Sequence, residues 1–262
     1  MKNDNFINFF WESIKNINSV YHISVLDVNL KYRRTVLGNI WIILTYLITV
    51  SVVSLVWSTI LNASITEYFP KLFIGFTVFH LILSFTSQAS EILLSKYKGI
   101  ILSLGISLNN VMLRHLTFIV LEYIQFVPVY LIIVFLAGIK LSLNTLLFIP
   151  GMLLVFANGY WMIFLISLLC ARFRDVGIFL SAIMSASFLL TPIIWDKNRL
   201  GQYENLVYLN PFTSMVEAIR DPLLGHSINP IIYVLLFSYL VIGFLISSIF
   251  YKYKNKLFNF WI

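Results

Sequence analysis

Six long apolar runs constrain this chain more than any other feature of its sequence. They fall at about residues 37–61, 72–94, 116–139, 143–170, 176–194 and 230–251. A bilayer core about 30 Å thick needs roughly 20 helical residues at about 1.5 Å each. Hydrophobic residues make up 60% of the chain and charged residues 11%, against about 45–50% and 25% in soluble domains, which excludes a water-soluble globule. We therefore predict an all-α, polytopic membrane protein with six transmembrane helices.

The positions of the basic residues predict the orientation of these helices. The formal net charge of +7 alone would also fit a nucleic-acid-binding protein, but the charges flank the apolar runs, so we expect no nucleic-acid partner. Of the 18 Lys and Arg residues, five precede the first run, three separate the second from the third, two follow the fourth and three follow the sixth. The five others lie on the opposite side. The positive-inside rule then predicts that both termini are cytoplasmic.

The N-terminal segment has the period of an amphipathic helix. Apolar residues recur at steps of three and four at Phe6, Phe10, Ile14, Ile17, Tyr21, Val25 and Val28. A polar stripe opposes them at Asn8, Glu12, Lys15, Ser19 and His22. This pattern predicts a helix along the membrane surface, and packing against the protein's own cytoplasmic side is the alternative. We expect it to be retained rather than cleaved as a signal, and assign residues 1–30 to an N-terminal amphipathic interface helix and 31–262 to the six-helix transmembrane domain.

Two connections between the runs are richer than simple loops. The inner one, 95–115, follows charged residues with a short, partly amphipathic helix suited to contact a cytosolic partner. The outer one, 195–229, is apolar and contains two prolines, which predicts re-entrant half-helices before the last span. A short turn at 139–143 predicts that the third and fourth spans form a hairpin. We place Pro70 in the first outer loop and expect a kink at Pro128 and Pro150 within their spans.

Several kinds of chemistry have no motif in the sequence. No Gly-rich loop ending in Gly-Lys-Ser or Gly-Lys-Thr occurs, so this chain is expected to bind no nucleotide through such a loop. The four histidines are scattered, and we expect no metal site. Neither a Gly-x-Ser-x-Gly elbow nor a convincing Ser/His pair is present, so we expect no catalytic residues. Cys170 is the single cysteine and forms no intrachain disulfide.

One ionisable residue falls inside a predicted span. Glu122 lies about two turns into the third run, beside Tyr123 and Gln125. A charge at that depth costs free energy unless it is paired or near the membrane edge. The sequence leaves two interpretations open: a relay or substrate contact, or a carboxyl group that is paired with a neighbouring helix or protonated.

Four short segments follow one another along the predicted spans and together form a recognisable pattern. The first is Lys31-Tyr32-Arg33-Arg34-Thr35-Val36-Leu37-Gly38 with Trp41, at the start of the first span. The second, Arg172-Phe173-Arg174-Asp175-Val176, precedes the fifth span, and the third, Thr191-Pro192-Ile193-Ile194, ends it. The fourth is Leu209-Asn210-Pro211-Phe212-Thr213 with Glu217, Ala218 and Arg220. In this order the four segments resemble permease subunits of ABC-2 type exporters, notably those for O-antigen, capsule and teichoic acid polysaccharides. The resemblance covers about residues 30–254.

This resemblance implies a bacterial inner (plasma) membrane protein that works as a homodimer with two cytosolic ABC ATPase subunits. The partner ATPases would bind ATP and Mg²⁺, and this chain would need no cofactor. The implied cargo is an undecaprenyl-diphosphate-linked polysaccharide. The resemblance also implies an ATPase-coupling segment in the inner connection, for which the candidates are Lys96, Tyr97, Lys98, Gly99, Ile100 and Leu104. It implies an outer gate, with Asn210, Pro211, Glu217 and Arg220 as candidates.

A polysaccharide is longer than the bilayer is thick, so it needs a continuous path, which we expect between two copies of the chain, lined by the first and fifth spans. Aromatic faces stack on sugar C–H faces without a fixed register. The channel-lining candidates are Trp41, Tyr46, Trp57, Phe179 and Phe188, and a membrane-interface belt or simple packing is the alternative. Lys31, Arg33 and Arg34 are candidates for binding the pyrophosphate at the entrance, or they serve only to set orientation.

Other functions were weighed against this one. Within the same family, the cargo would be a capsule or teichoic acid polymer, a drug or a lipid. A stand-alone channel or secondary carrier would need a polar pathway or an inverted repeat, and neither is evident. An intramembrane enzyme would need paired carboxylates or histidines at a shared depth, which the sequence lacks. We therefore expect a transport subunit rather than an enzyme.

Overall fold

The computed structural model describes residues 17–104 and 107–254. Within these ranges every regular element is a helix, mostly α-helix with short 3-10 and π-helical stretches. The prediction of an all-α protein is therefore confirmed. Residues 1–16, which hold the first part of the predicted interface helix, lie outside the described residues.

Ten α-helices of seven or more residues follow one another along the described chain. They are α1 (Ile17–Tyr32), α2 (Ile40–Leu61), α3 (Ile65–Ser87), α4 (Lys98–Leu104), α5 (Leu108–Ile124), α6 (Phe126–Leu136), α7 (Phe148–Arg172), α8 (Asp175–Leu190), α9 (Pro211–Leu223) and α10 (Ile231–Lys254). Helix α3 continues through Ala89–Glu91 into a π-helical turn, Ile92–Lys96. Two 3-10 stretches, Leu143–Leu147 and Lys197–Leu209, precede α7 and α9.

Five helical segments are long and apolar enough to cross a bilayer. They are Ile40–Leu61, Ile65–Lys96, Leu108–Leu136, Leu143–Arg172 and Ile231–Lys252, and they match the first four predicted runs and the sixth. The fifth run corresponds to α8, which has only 16 residues. It ends early because Thr191 precedes a proline and takes an extended backbone conformation, with ψ of 131°.

Although short, α8 runs from one end of the bundle to the other. Near its start, Gly177 lies against Ser90, beyond the end of α3. Just past its end, Thr191 accepts a hydrogen bond from Asn210, which caps α9. We name these two ends of the bundle the α1 end and the α9 end, after the helices that lie there.

Two of the prolines, Pro70 and Pro150, have surroundings that differ from the sequence-based prediction. Pro70 lies inside α3, which begins at Ile65, and not in a loop. A proline there removes one helical hydrogen bond near the helix start and is tolerated. Pro150 is the third residue of α7, where its missing N–H would have had no helical partner. The kink expected at Pro128 is found as a break at Gln125, between α5 and α6.

Helices α3 and α7 form the centre of the bundle, and α2, α8 and α10 lie at its periphery. Within the most apolar window of each spanning segment, 72% of the segment containing α3 and 67% of that containing α7 is buried, against 11% for α2 and 22% for α10. In α8 only Met184 and Ser187 are buried. The apolar outer faces of α2, α8 and α10 must therefore be covered by lipid or by another subunit.

The helix α9 is buried among the spans. Every residue from Thr213 to Arg220 is buried, and the helix packs on α3, α7 and α10. A glycine on α7 permits this packing, because a Cβ atom built on Gly151 would lie 2.3 Å from the backbone oxygen of Ala218. The re-entrant outer helix predicted from the sequence therefore corresponds to α9. The preceding stretch, Lys197–Leu209, breaks at Gly201 and is largely exposed.

The helix α1 packs across α5 on a face that the apolar stripe does not predict. Val20, Ser24 and Val28 are buried, and the hydroxyl of Ser24 donates to the backbone oxygen of Arg114 at 2.9 Å. The predicted stripe had assigned Val28 to the membrane side. The stripe residues Ile17 and Tyr21 are exposed, and so are three further apolar residues of α1, namely Ile23, Leu26 and Leu30. In this orientation Asp27 and Lys31 of α1 form ion pairs with α5, as described below.

The close contact between α7 and α9 gives a first prediction. Replacing Gly151 by Ala should destabilise the protein although alanine favours helix, because the new Cβ would overlap a backbone atom that cannot move alone. We expect a loss of about 1–3 kcal/mol, seen as a lower thermal midpoint in detergent. The matched control is Gly177→Ala, whose Cβ would meet Ser90 at an ordinary 3.4 Å. Equal midpoints for the two variants would contradict this packing.

Candidate functional site

Two ion pairs fasten α1 to α5. The first joins Asp27 to Arg114 through two hydrogen bonds, Nε to Oδ2 at 2.7 Å and Nη2 to Oδ1 at 2.6 Å. Such a two-pronged contact fixes orientation as well as distance. Tyr97, just beyond the π-helical turn, donates its hydroxyl to the same carboxylate at 3.2 Å. Burial, and then the negative charge of Asp27, raise the pKa of Tyr97, so the phenol stays protonated as a donor.

The second ion pair involves Glu122, the ionisable residue inside a predicted span. The Nζ atom of Lys31 lies 2.5 Å from Oε1 of Glu122, whose side chain is 1% exposed. The Tyr32 hydroxyl donates to the same oxygen at 3.1 Å. Glu122 is thus a carboxylate paired with a neighbouring helix. Burial, and then the charge of Glu122, raise the pKa of Tyr32.

The three entrance candidates therefore differ in their surroundings. Lys31 is half-exposed and forms an ion pair with Glu122. Arg33 and Arg34 follow the last turn of α1 and are exposed. Among the described residues, no carboxylate lies within ion-pair distance of either arginine. These two guanidinium groups are accordingly the ones open to an anionic ligand.

The coupling candidates separate into an inward and an outward group. Tyr97 is buried and faces Asp27, and the Nζ atom of Lys96 lies 4.2 Å from the centroid of the Phe118 ring. Lys98 and Gly99 are exposed at the start of α4. The candidates Ile100 and Leu104 also belong to α4, which confirms the predicted short helix after the charged residues.

The channel-lining candidates also separate. Trp41 and Trp57 on α2 and Phe179 on α8 are exposed by 44%, 37% and 66%. Tyr46 and Phe188 are partly buried instead, in an aromatic cluster between α2, α3 and α8. A groove of about 320 Å³ opens between α3 and α8.

Sequence reasoning missed the α3 members of this cluster. The ring of Tyr46 lies 5.1 Å from that of His80, and Phe76 lies 4.5 Å from His80 and 5.8 Å from Phe188. All of these except Tyr46 line the groove. Phe76 and His80 are four residues apart on one face of α3, a spacing that the sequence does display, although nothing in it shows that α8 packs there.

The gate candidates at the α9 end have clear structural roles. The side chain of Asn210 caps α9 by accepting from the backbone N–H of Phe212 at 3.1 Å, and donates to the Thr191 hydroxyl at 2.9 Å. Pro211 occupies the first helical position, where its missing N–H is not needed. The Asn-Pro motif thus begins α9 and ties it to the end of α8.

Glu217 and Arg220 meet, as their spacing predicts, but their main partners are other residues. Their closest charged atoms are 3.7 Å apart. Glu217 is fully buried and accepts from Lys197 at 3.1 Å and from Tyr208 at 3.0 Å. Arg220 donates to the backbone oxygen of Pro192 at 2.6 Å and to Asp221 at 2.8 Å.

No sequence pattern predicts the partners of Glu217. Lys197 lies 20 residues earlier, in an irregular stretch. Burial lowers the pKa of Lys197, but its hydrogen bonds to Tyr208 and Glu217 outweigh burial and raise the pKa. The lysine is therefore charged, and it ties the Lys197–Leu209 stretch to α9.

Within the described ranges, no three His, Cys, Asp or Glu side chains group closely enough to hold a metal ion. The ion pairs of the described residues lie towards the two ends of the bundle, and long apolar helices join those ends. Such an arrangement defines a multi-pass helical membrane protein.

Comparison with known proteins gives the family. Residues 20–224 match the family described as ABC-2 type transporter, so the chain belongs to that family. The chain is also 24% identical, over 243 residues, to the O-antigen export system permease protein RfbA of Klebsiella pneumoniae. That alignment covers 88% of this chain and 90% of the relative. Members of this family are transport subunits that work with ATPase partners.

The buried carboxylate of Glu122 gives a second prediction. Replacing Lys31 by Met removes its cation, and an unpaired buried charge costs about 3–5 kcal/mol when the pair is fully buried. Because Lys31 is 44% exposed, we expect about 3 kcal/mol or less, measured as a lower thermal midpoint. The double variant K31M/E122Q should recover most of the loss, since no charge is then stranded.

The matched control for that experiment is Arg34→Met, which removes an exposed cation three residues away and should change stability by about 0.5 kcal/mol or less. If K31M and R34M were equally stable, the pair between Lys31 and Glu122 would not contribute to the fold.

Proposed function

We propose that this chain is the membrane subunit of an ATP-driven exporter of lipid-linked polysaccharide of the O-antigen type. Two copies work with two cytosolic ATPase subunits, which bind ATP and Mg²⁺, in a bacterial inner membrane. The family supports transport, and the likeness to an O-antigen export permease along most of the chain supports the cargo. The concentration of basic residues at the α1 end supports placing that end, with both termini, in the cytoplasm.

The observation that carries the pathway is the uncovered aromatic face formed by α2 and α8. The centre of a single chain is filled by α3 and α7, which leaves no room there for a polymer. Trp41, Trp57 and Phe179 are exposed on these helices, and the groove lined by Phe188 opens between α3 and α8. A second copy facing this surface encloses a continuous path between the two chains. Sugar rings slide along aromatic faces because such contacts impose no fixed hydrogen-bond register.

The entrance of this path is proposed to bind the pyrophosphate of the lipid carrier. Arg33 and Arg34 supply the anion-binding groups, since guanidinium matches phosphate oxygens in pairs. Lys31 contributes less, because Glu122 already neutralises it. Its role is to hold the end of α1, and with it the two arginines, against α5.

Coupling to the ATPase is proposed to run through the inner connection. Lys98 and Gly99 are exposed and available to a cytosolic partner. Tyr97 joins this connection to Asp27, which also holds Arg114. A displacement of α4 therefore pulls on α1 and α5 together. At the far end, α9 with Glu217 and Arg220 is proposed to close the path until the chain passes.

Deletion of the gene tests the proposed function as a whole. Cells that lack it should accumulate undecaprenyl-linked polymer inside and lose the surface glycan, and the purified subunit should copurify with an ATPase. A plasmid copy should restore export only with an ATPase partner that hydrolyses ATP. Normal surface glycan in the deletion strain, or transport by the purified chain without an ATPase, would refute the proposal.

The placement of α8 at the contact between copies gives a further prediction. In a Cys170→Ala background, the variant Phe179→Cys should form disulfide-linked dimers when membranes are oxidised, since the α8 residues of two copies face one pathway. The control is Phe237→Cys on α10, which is similarly exposed at 59% but lies on a helix that we assign to lipid. Equal cross-linking at both positions would argue against this interface.

The entrance proposal predicts the effect of reversing charge. The double variant R33E/R34E should lose stimulation of ATPase activity by the lipid-linked glycan, while basal activity persists and labelling shows unchanged topology. The matched control is Lys140→Glu, an exposed cation in the opposite connection. Unchanged stimulation in R33E/R34E would remove the arginines from the entrance.

A further inference from the structure

A cavity of about 490 Å³ lies at the α9 end, and Lys197 and Arg220, whose contacts are described above, form part of its wall. Its walls come from the beginning of α3, the stretch that follows α8 and the end of α9. Small-molecule sites typically measure about 300–1,000 Å³ and combine an apolar surface with a few converging polar groups. The cavity has both properties.

The walls of the cavity are held in place by bonds between these three segments. Lys71 on α3 pairs with Asp196. The guanidinium of Arg220, on α9, bonds to the backbone oxygen of Pro192 and to Asp221. The Tyr68 hydroxyl donates to the backbone oxygen of Ile194 at 2.8 Å. The cavity is therefore pre-formed, and a ligand would not have to order its walls.

The charges that line the cavity cancel. Three are carboxylates, Glu67, Asp196 and Asp221, and three are cations, Lys71, Lys197 and Arg220. A site for a phosphate would carry excess positive charge, and a site for a metal ion would carry excess carboxylate. A balanced set that offers both donors and acceptors suits a neutral ligand with many hydroxyl groups.

The cavity also has an aromatic side chain in its wall. The indole of Trp195 lines the cavity, and its Nε1 donates to the backbone oxygen of Leu189 at 2.9 Å, which fixes the ring. An immobilised indole offers an apolar face to the C–H face of a sugar ring. Asn198 and His226 are exposed at the same cavity and provide further polar contacts.

From these observations we infer that the cavity is a glycan-binding site, which holds sugar residues of the transported chain at the α9 end. This inference rests on the proposed function, because it takes the cargo to be a polysaccharide. Each copy in the dimer carries one such site. A site here retains the emerging chain while the ATPases reset, and so opposes backward sliding.

Binding of lipid-free glycan to the complete complex tests this inference. The probe is the water-soluble polysaccharide released by mild acid from the strain that carries the gene, titrated into the transporter with its ATPases in nanodiscs. Trp195→Ala should weaken binding at least tenfold, because the stacking face is lost. Trp195→Phe, which keeps an aromatic ring, should stay within about threefold of the original protein. Inorganic phosphate should not compete.

Two further variants separate binding from folding. Asn198→Ala changes an exposed side chain at the cavity and should weaken binding severalfold while the thermal midpoint stays unchanged. The control Tyr203→Ala removes an exposed aromatic ring from the same connection, away from the cavity wall, and should bind as the original protein does.

Two outcomes would overturn the inference in distinguishable ways. If lipid-linked glycan stimulates the ATPases but free glycan fails to bind, or binds W195A and N198A as tightly as the original protein, the cavity is not a glycan site and the proposed function stands. If lipid-linked glycan does not stimulate the ATPases of the intact complex, the proposed function itself fails and the inference falls with it.

Discussion

The whole architecture depends on how backbone and side-chain polar groups are satisfied where water is scarce. Inside a bilayer, each peptide group must bond within its own segment, and a helix achieves this for every residue except those at its ends. The helix ends are therefore the places where this protein needs side-chain chemistry. At one such end Asn210 and Pro211 begin α9, and at another Thr191 joins α8 to that cap. The polar residues of the outer connection serve this requirement first.

The same constraint explains the buried carboxylates. Glu122 and Glu217 are both almost inaccessible, and each meets a lysine and a tyrosine hydroxyl. Each joins its own helix to a different segment, since Lys31 and Lys197 both lie outside the helix that carries the carboxylate. If the lysine of either pair is removed, the buried carboxylate is left unpaired, so each ion pair stabilises the fold only while both groups are present. Both contacts lie near the ends of the bundle, where α1 and α9 meet the spanning helices.

Much of the candidate site could be located from the sequence, but its contacts could not. The Asn-Pro motif, the spacing of Glu217 and Arg220, and the position of Glu122 within a span were all evident, because they depend on local order along one helix. Their partners were not evident. Lys197 and Tyr208 lie 20 and 9 residues from Glu217, and Arg114 lies 87 residues from Asp27, and no local pattern pairs residues at these separations. On α1 the apolar period placed Ile17 and Tyr21 on an exposed face, as the structure has them, but it could not show that Asp27 and Lys31 pair with α5 or that Val28 is buried there.

The sequence by itself determined that the chain is a helical membrane protein, where most of its spans lie, and the family to which it belongs. These properties depend on the length and composition of single segments. An apolar segment of sufficient length enters the bilayer, and there its backbone groups must form helical hydrogen bonds. Only the tertiary structure decided which helices form the centre, that α9 sinks between α3, α7 and α10, and that opposing charges cancel around one cavity. Those features arise from close packing between segments remote in sequence, where a single glycine such as Gly151 decides whether two backbones can touch.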